Sequence, residues 1–306
     1  MPHLIDEIRE LARDWRWFRR PLPPASVADA AAPVTHWRFP TRWARSRAAA
    51  ALRNLLQVGA LRPVLHSQLR IEVDGRERVG ELGDGPLILA ANHASHLDAP
   101  LVLTSLPAEV RRRTVTLAAS DYFFDAWWRA AATGLVFNAA PVDRTLGGRD
   151  ALPSDLLGEG FNVLIFPEGT RSRDGYAGRF RHGAAHLAFE AGAPIVPIAI
   201  QGSWRAMPKG RGWPVRGRPR VQVAFGPPLA PEGQVAGLTR RLETEIARLR
   251  DQQRTDWWTS MRNAERGATP SLRGPDIAGW RRRWALLQPD AADEDERIWT
   301  RRREAS

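Results

Sequence analysis

Pro86-Leu87-Ile88-Leu89-Ala90-Ala91-Asn92-His93-Ala94-Ser95-His96-Leu97-Asp98 is the stretch on which the reading of this chain turns. Pro86 to Ala91 is unbroken apolar sequence, the run halts at Asn92-His93, and a second apolar run begins after Asp98. A short apolar run of this kind is what a strand covered on both faces looks like, and open α/β sheets place their chemistry just beyond such strands' carboxyl ends. His93 and Asp98 therefore sit where a polar site is expected. Imidazole takes up a proton near neutral pH. A carboxylate on its other ring nitrogen selects the tautomer and stabilises the imidazolium that forms.

Other readings fit the same residues. Ser95-x-x-Asp98 ahead of an apolar run is also a helix capping box, and a cap at Ser95 is compatible with Asp98 turned toward His93. His93, His96 and Asp98 are all metal-ligand types, but their spacing matches no common zinc pattern and no second ligand cluster follows. The expectation is no metal.

From Gln68 onward, strand-like and helix-like segments alternate. The strand-like runs are 68–74, 86–91, 114–119, 135–142, 162–166, 195–200 and 220–225, and the helix-like ones are 98–106, 123–133, 149–158 and 182–191. Such alternation predicts an α/β fold, a mainly parallel sheet flanked by helices, with helical amino- and carboxy-terminal extensions. Two further strands also end in polar residues. Asn162 to Phe166 runs into Pro167-Glu168-Gly169-Thr170-Arg171-Ser172, and Val136 to Val142 runs into Asp143-Arg144. Gly169 allows close backbone approach to a ligand, and a guanidinium such as Arg171 holds phosphate or carboxylate by a two-pronged contact. Taken singly, Arg144 and Arg171 read as solvated ion-pair partners. Three polar endings in one sheet favour a shared pocket.

Outside that region the pattern changes. Leu4, Ile8, Leu11, Trp15 and Phe18 fall at helical spacing over 3–20, Pro21 to Pro33 reads as a linker, and Ala48 to Leu61 is apolar except for Arg53, Asn54 and Gln57. Trp37, Arg42, Trp43, Arg45 and Arg47 crowd its entry, a composition suited to a headgroup boundary or, alternatively, to a core helix. Tyr122, Phe123, Phe124, Trp127 and Trp128 give a dense aromatic patch that fits acyl-chain contact or core packing. The tail holds a charged helix, 239–254, then Trp257-Trp258 and the basic, aromatic cluster from Trp280 to Trp284. The expected division is 1–66, a basic amphipathic extension suited to membrane-interface contact; 67–230, the catalytic domain; and 231–306, a helical basic and aromatic extension.

Composition bounds the function. Hydrophobic residues make up 43% of 306, enough for a substantial core. There is no Cys, which excludes disulfides, thiolate metal sites and a thiol nucleophile. The net charge is +11, and residues 1–66 hold 11 Arg against 5 acids, over half of that surplus. A basic amino-terminal region suits an anionic surface. No zinc finger, RNP motif or basic zipper is present, so a nucleic-acid partner is not expected. No signal peptide is recognisable, and no run approaches the ~18 apolar residues that span a bilayer.

Asn92-His93-x-Ser95-x-x-Asp98, Pro141-Val142-Asp143-Arg144, the run Phe166 to Ser172 and Val196-Pro197-Ile198 closely resemble the four ordered blocks of the glycerolipid acyltransferases, a family that includes the bacterial and plant lysophosphatidic acid acyltransferases (1-acylglycerol-3-phosphate O-acyltransferases). The resemblance covers residues 68–228, and the first and third blocks together are highly specific. The second block departs from the family in Pro141-Val142, where Phe-Ile is common, and the fourth in Ala199-Ile200, where a further proline is common. The resemblance implies transfer of a fatty acyl group from acyl-CoA or acyl-ACP, a co-substrate rather than a bound cofactor, to the hydroxyl of a lysophosphatidic acid-like glycerolipid in phospholipid biosynthesis. It casts His93 as general base and Asp98 as its orienter, with Arg144, Glu168, Gly169, Thr170 and Arg171 on the acceptor and the Gly169 amide or a neighbour as oxyanion donor. Arg179 reads as a phosphate assistant or a solvated cation. Another lysolipid or hydroxylated lipid as acceptor, a thioesterase using water, and a non-enzymatic peripheral membrane protein are the alternatives. The expected location is the cytoplasm, peripheral on the inner face of the cell membrane.

Overall fold

The apolar runs assemble into one seven-stranded sheet: β1 (Arg70–Asp74), β2 (Ile88–Ala91), β3 (Thr114–Ala119), β4 (Ala139–Val142), β5 (Asn162–Ile165), β6 (Ile195–Gln201) and β7 (Arg220–Phe225), in the order β1-β7-β6-β2-β5-β3-β4. The computed structural model describes residues 41–83, 85–119, 127–142, 151–208, 210–277 and 281–282. Strands β6, β2, β5, β3 and β4 run parallel. β7 runs against β6 and is joined by β1, which is parallel to β7. The sheet is thus mainly parallel, as its alternating pattern predicts. The helix expected at 3–20, the linker after it, the aromatic residues Tyr122 to Phe124 and most of the cluster from Trp280 to Trp284 lie outside the described residues.

Why β2 is unbroken apolar sequence is visible in its two faces. Ile88 and Ala90 enter one core with Val163, Ile195 and Ala199, while Leu89 and Ala91 enter the opposite core with Leu164, Val196 and Ile198. A strand buried on both sides has no face left for polar residues. The helices that cover it are, in chain order, α1 (Arg47–Leu56), continued through a π-helical turn at Gln57–Leu61 into α2 (Arg62–Gln68), then α3 (Arg76–Gly80), α4 (Asp98–Ser105), α5 (Ala108–Arg112), α6 (Trp127–Phe137), α7 (Leu152–Gly158), α8 (Gly183–Ala191), α9 (Ser203–Ala206), α10 (Val235–Arg254) and α11 (Trp257–Glu265). α10 begins after the expected catalytic domain, yet Leu238, Leu242, Ile246 and Leu249 pack into the same core as β2 and β6.

One strand assignment from sequence needs correction. The run from Leu135 to Val142 reads as a single strand, but Leu135, Val136 and Phe137 complete α6. Asn138 turns the chain at φ 50°, donates from Nδ2 to the Thr114 carbonyl at 3.0 Å, and β4 starts only at Ala139. A continuous apolar run does not distinguish a buried helix end from a strand, and Asn is among the few residues that tolerate the left-handed turn between them.

α1 shows its faces in an unexpected sense. Ala49, Arg53 and Gln57 face the protein, whereas Leu52, Leu55, Val58 and Val64 are exposed. The inward polar groups are satisfied: Arg53 Nη1 donates to the Ala44 carbonyl at 2.8 Å and Gln57 Nε2 to the Val136 carbonyl at 2.7 Å. No described helix is long and apolar enough to cross a membrane.

Candidate active site

β2 and β5 are neighbours in register, Ile88 opposite Val163 and Ala90 opposite Ile165, so the turns beyond them emerge side by side at one end of the sheet. The main chain of His93 is fastened to the second turn on both sides. Its N–H donates to Glu168 Oε1 at 2.7 Å, and its carbonyl accepts from the Ser172 N–H at 2.8 Å. Asn92 secures the other flank. Its side-chain amide donates to the Ile200 carbonyl at 3.0 Å and accepts from the Ile200 N–H at 2.8 Å, prolonging the β2–β6 ladder past the point where the β2 backbone turns away.

Within this frame the imidazole is held on two sides. Nδ1 lies 2.9 Å from Asp98 Oδ2, and the ring stacks on Phe166 with centroids 4.0 Å apart and planes 21° from parallel. The His93 side chain is 19% exposed while Asp98 is fully buried, so the imidazole reaches solvent and the carboxylate behind it does not. An ionised carboxylate only accepts, so Nδ1 carries the proton and Nε2 is left bare to take one from a substrate.

Asp98 has a structural role as well. Oδ2 also accepts from the Ala94 N–H at 2.6 Å and the Ser95 N–H at 2.8 Å. The bond from Asp98 back to Ser95 is one half of a capping box. The other half is absent, because Ser95 Oγ donates to the Met207 carbonyl at 2.7 Å and accepts from Leu97 N–H at 3.2 Å. Both sequence readings of Asp98 therefore meet in one oxygen. The buried Oδ1 has no hydrogen-bond partner.

Glu168 is buried and commits both oxygens to backbone amides, Oε1 to His93 and Oε2 to the Gly178 N–H at 2.7 Å. Its pKa is pushed up to about 7. Burial is the main cause and the negative Asp98 adds to it, while the two N–H bonds and the charge of Arg250 on α10 oppose it. Glu168 thus ties β5's turn, the His93 turn and the Gly178 loop into one unit.

The remaining expected residues divide as follows. Gly169 adopts φ 70°, where an L side chain is strained, and an added Cβ would lie 3.2 Å from Arg181 Nε. Its N–H donates to the Phe166 carbonyl at 2.9 Å, so that amide closes the turn. Thr170 is exposed, Arg171 is half-buried and Arg179 is exposed. Arg144 lies outside the described residues. Sequence reasoning did not single out Phe166, Asn92 as a ladder extension, or Arg250. An aromatic residue closing the apolar run just ahead of Pro167 was the available signal for the first, and nothing in the local pattern marked Arg250.

Comparison with known proteins accords with this arrangement. Residues 70–201 match the family model described as Acyltransferase. The chain is 32% identical over 176 residues to the 1-acyl-sn-glycerol-3-phosphate acyltransferase alpha of Mus musculus, covering 54% of this chain and 56% of that protein. It is 31% identical over 145 residues to a chloroplastic 1-acyl-sn-glycerol-3-phosphate acyltransferase of Arabidopsis thaliana, covering 46% and 38%. In both cases the chain spans about half or less of the curated relative. The crystal structure of the 1-acyl-sn-glycerophosphate acyltransferase PlsC from Thermotoga maritima superposes with a TM-score of 0.52 at 23% identity, over 67% of this chain and 84% of that one, and shares the fold. The likeness to the acyltransferase family thus falls on residues 70–201, the segment that contains the paired His93 and Glu168 turns.

Proposed function

We propose that this chain transfers a fatty acyl group from an acyl thioester to the free hydroxyl of a lysophosphatidic acid-like glycerolipid, a step of phospholipid biosynthesis. The observation that carries the reading is the His93–Asp98 pair at 2.9 Å, with Nε2 bare at the edge of a turn fastened to the Glu168 turn. Nε2 takes the proton from the acceptor hydroxyl as its oxygen attacks the thioester carbonyl. A C–O bond forms, the carbonyl electrons move onto oxygen, and collapse breaks the C–S bond. The thiolate of coenzyme A or acyl carrier protein leaves and takes the proton held by His93. Direct attack suits a chain without Cys and without a nucleophile elbow.

With the Gly169 amide engaged by Phe166, the oxyanion role passes to a neighbouring amide, that of exposed Thr170. Arg171, with Arg144, holds the acceptor phosphate by two-pronged contacts. Glu168 contributes by holding the turn, and its remaining lone pairs are available to the acceptor head. A lipid acceptor and the outward apolar residues of α1 and its continuation, Leu52, Leu55, Val58 and Val64, support a peripheral position on the cytoplasmic face of the cell membrane.

The test is thiol release from acyl-coenzyme A across a panel of lysolipids, with the lipid product weighed by mass spectrometry. An acylated glycerolipid formed by the wild type and absent with His93→Ala is the expected result. Thiol release with no acylated lipid would mean a thioesterase, and neither activity would leave only a lipid-binding protein.

A further inference from the structure

The end of the sheet opposite His93 carries a cluster that acyl transfer does not use. α5 leads directly into β3, so Arg111 and Arg112 sit at the amino ends of the parallel strands. β1 runs against those strands, so α3 after it starts at the same end of the sheet, where Arg76 Nη2 donates to the Leu106 carbonyl at 3.4 Å, just ahead of α5. Arg62, the first residue of α2, completes the group. Burial first, and then the charges of Arg112, Arg62 and Arg76, hold Arg111 below the usual arginine range.

Arg111 is only 6% exposed. Its Nη2 donates to Asn54 Oδ1 at 2.8 Å, but its Nε is buried with no hydrogen-bond partner. One acid opposes this charge: Glu109, 77% exposed, pairs with the cluster's own Arg112 at 3.4 Å and leaves the four arginines in net positive excess. An unmet buried donor is unfavourable, and like charges around it add repulsion. A tetrahedral oxyanion held by the exposed guanidiniums of Arg62, Arg76 and Arg112 would relieve that repulsion, and guanidinium geometry suits phosphate.

We propose that Arg62, Arg76, Arg111 and Arg112 form a phosphate site at the end of the sheet remote from His93, filled by an anionic lipid headgroup or by free phosphate. Asn54, which holds Arg111, lies on α1 beside Leu55 at 66% and Val58 at 42% exposure, so apolar side chains flank the cluster as a lipid surface would require. The site does not depend on the proposed reaction.

The test compares the wild-type chain, Arg62→Gln/Arg112→Gln and a charge-matched control, Arg240→Gln/Arg266→Gln, all four side chains being exposed. Each protein is titrated with phosphatidylcholine vesicles with and without phosphatidylglycerol, and its Tm is read in inorganic phosphate against potassium chloride of equal ionic strength. A headgroup site predicts that affinity for phosphatidylglycerol vesicles falls about 30-fold in Arg62→Gln/Arg112→Gln, about fivefold per arginine, and far less in the control. A free-phosphate site predicts a phosphate-dependent rise in Tm in the wild type and control, lost in Arg62→Gln/Arg112→Gln, with equal vesicle binding by all three. If the two double variants behave alike in both assays, the proposal is overturned.

Discussion

Asp98 and Glu168 are both buried carboxylates within one hydrogen bond of His93, and they hold different parts of it. Asp98 grips the ring at Nδ1, while Glu168 grips the main-chain N–H and ties it to the Gly178 loop. Asp98 governs which nitrogen of the imidazole carries the proton. Glu168 governs where the imidazole stands. The comparison shows how one site separates chemistry from placement: a carboxylate that sets a tautomer cannot be replaced by a neutral amide, whereas one that anchors a backbone amide can be replaced in part.

The largest effect expected is at the residue they share. His93→Ala should lower acyl transfer by about 1,000-fold or more, the scale of a lost general base, with an unchanged circular-dichroism spectrum. Asp98→Asn should follow, cutting kcat by about 100- to 1,000-fold. A cap role alone would cost only about 1 kcal/mol of stability and leave kcat nearly intact, so kcat measured beside a denaturation curve separates the two roles of that oxygen.

Glu168→Gln should be milder, about tenfold in turnover, because one of two backbone bonds survives. Its pH dependence is more informative. Burial raises the native pKa of Glu168 to about 7, above the ordinary carboxylate value of 4.5. The folded state therefore binds this proton more tightly than the unfolded chain, and stability from this group falls as pH rises between those values. Relative to Glu168→Gln, the wild type should lose on the order of 3 kcal/mol between pH 4.5 and above pH 7, measured by urea denaturation at each pH. Parallel curves would show that Glu168 does not titrate in that window.

Least affected should be Leu55→Ser/Val58→Ser. Both side chains are already exposed, so stability should change by less than about 0.5 kcal/mol per site. Weaker binding to vesicles at unchanged stability would place α1 outside the Asp98–Glu168 unit and on the lipid surface.

Much of this was legible beforehand, for reasons that particular residues make plain. β2 and β5 are short, doubly buried strands ending abruptly in polar sequence, so the positions of His93 and Glu168 at one end of a sheet followed from pattern alone. What pattern could not supply was the partner of each polar group. Nothing local to Glu168 reveals that the amides of His93 and Gly178, far apart in sequence, converge on it. α1 and α10 make the same point for helices. Both carry an apolar stripe, but α10 buries Leu238, Leu242, Ile246 and Leu249 while α1 turns Leu52 and Leu55 outward and buries Arg53, with Gln57 of the π-helical turn after it. Periodicity marks that a helix has two faces, and only tertiary partners such as the Ala44 and Val136 carbonyls decide which one is inside.

The division of labour around His93 is tested most directly by long-range proton–nitrogen NMR of its ring at a pH where the imidazole is neutral. Nδ1 should be protonated and Nε2 bare in the wild type and in Glu168→Gln, with that preference lost in Asp98→Asn. A wild-type ring protonated at Nε2 would contradict it, since the nitrogen facing the acceptor would then have no lone pair with which to act as a base.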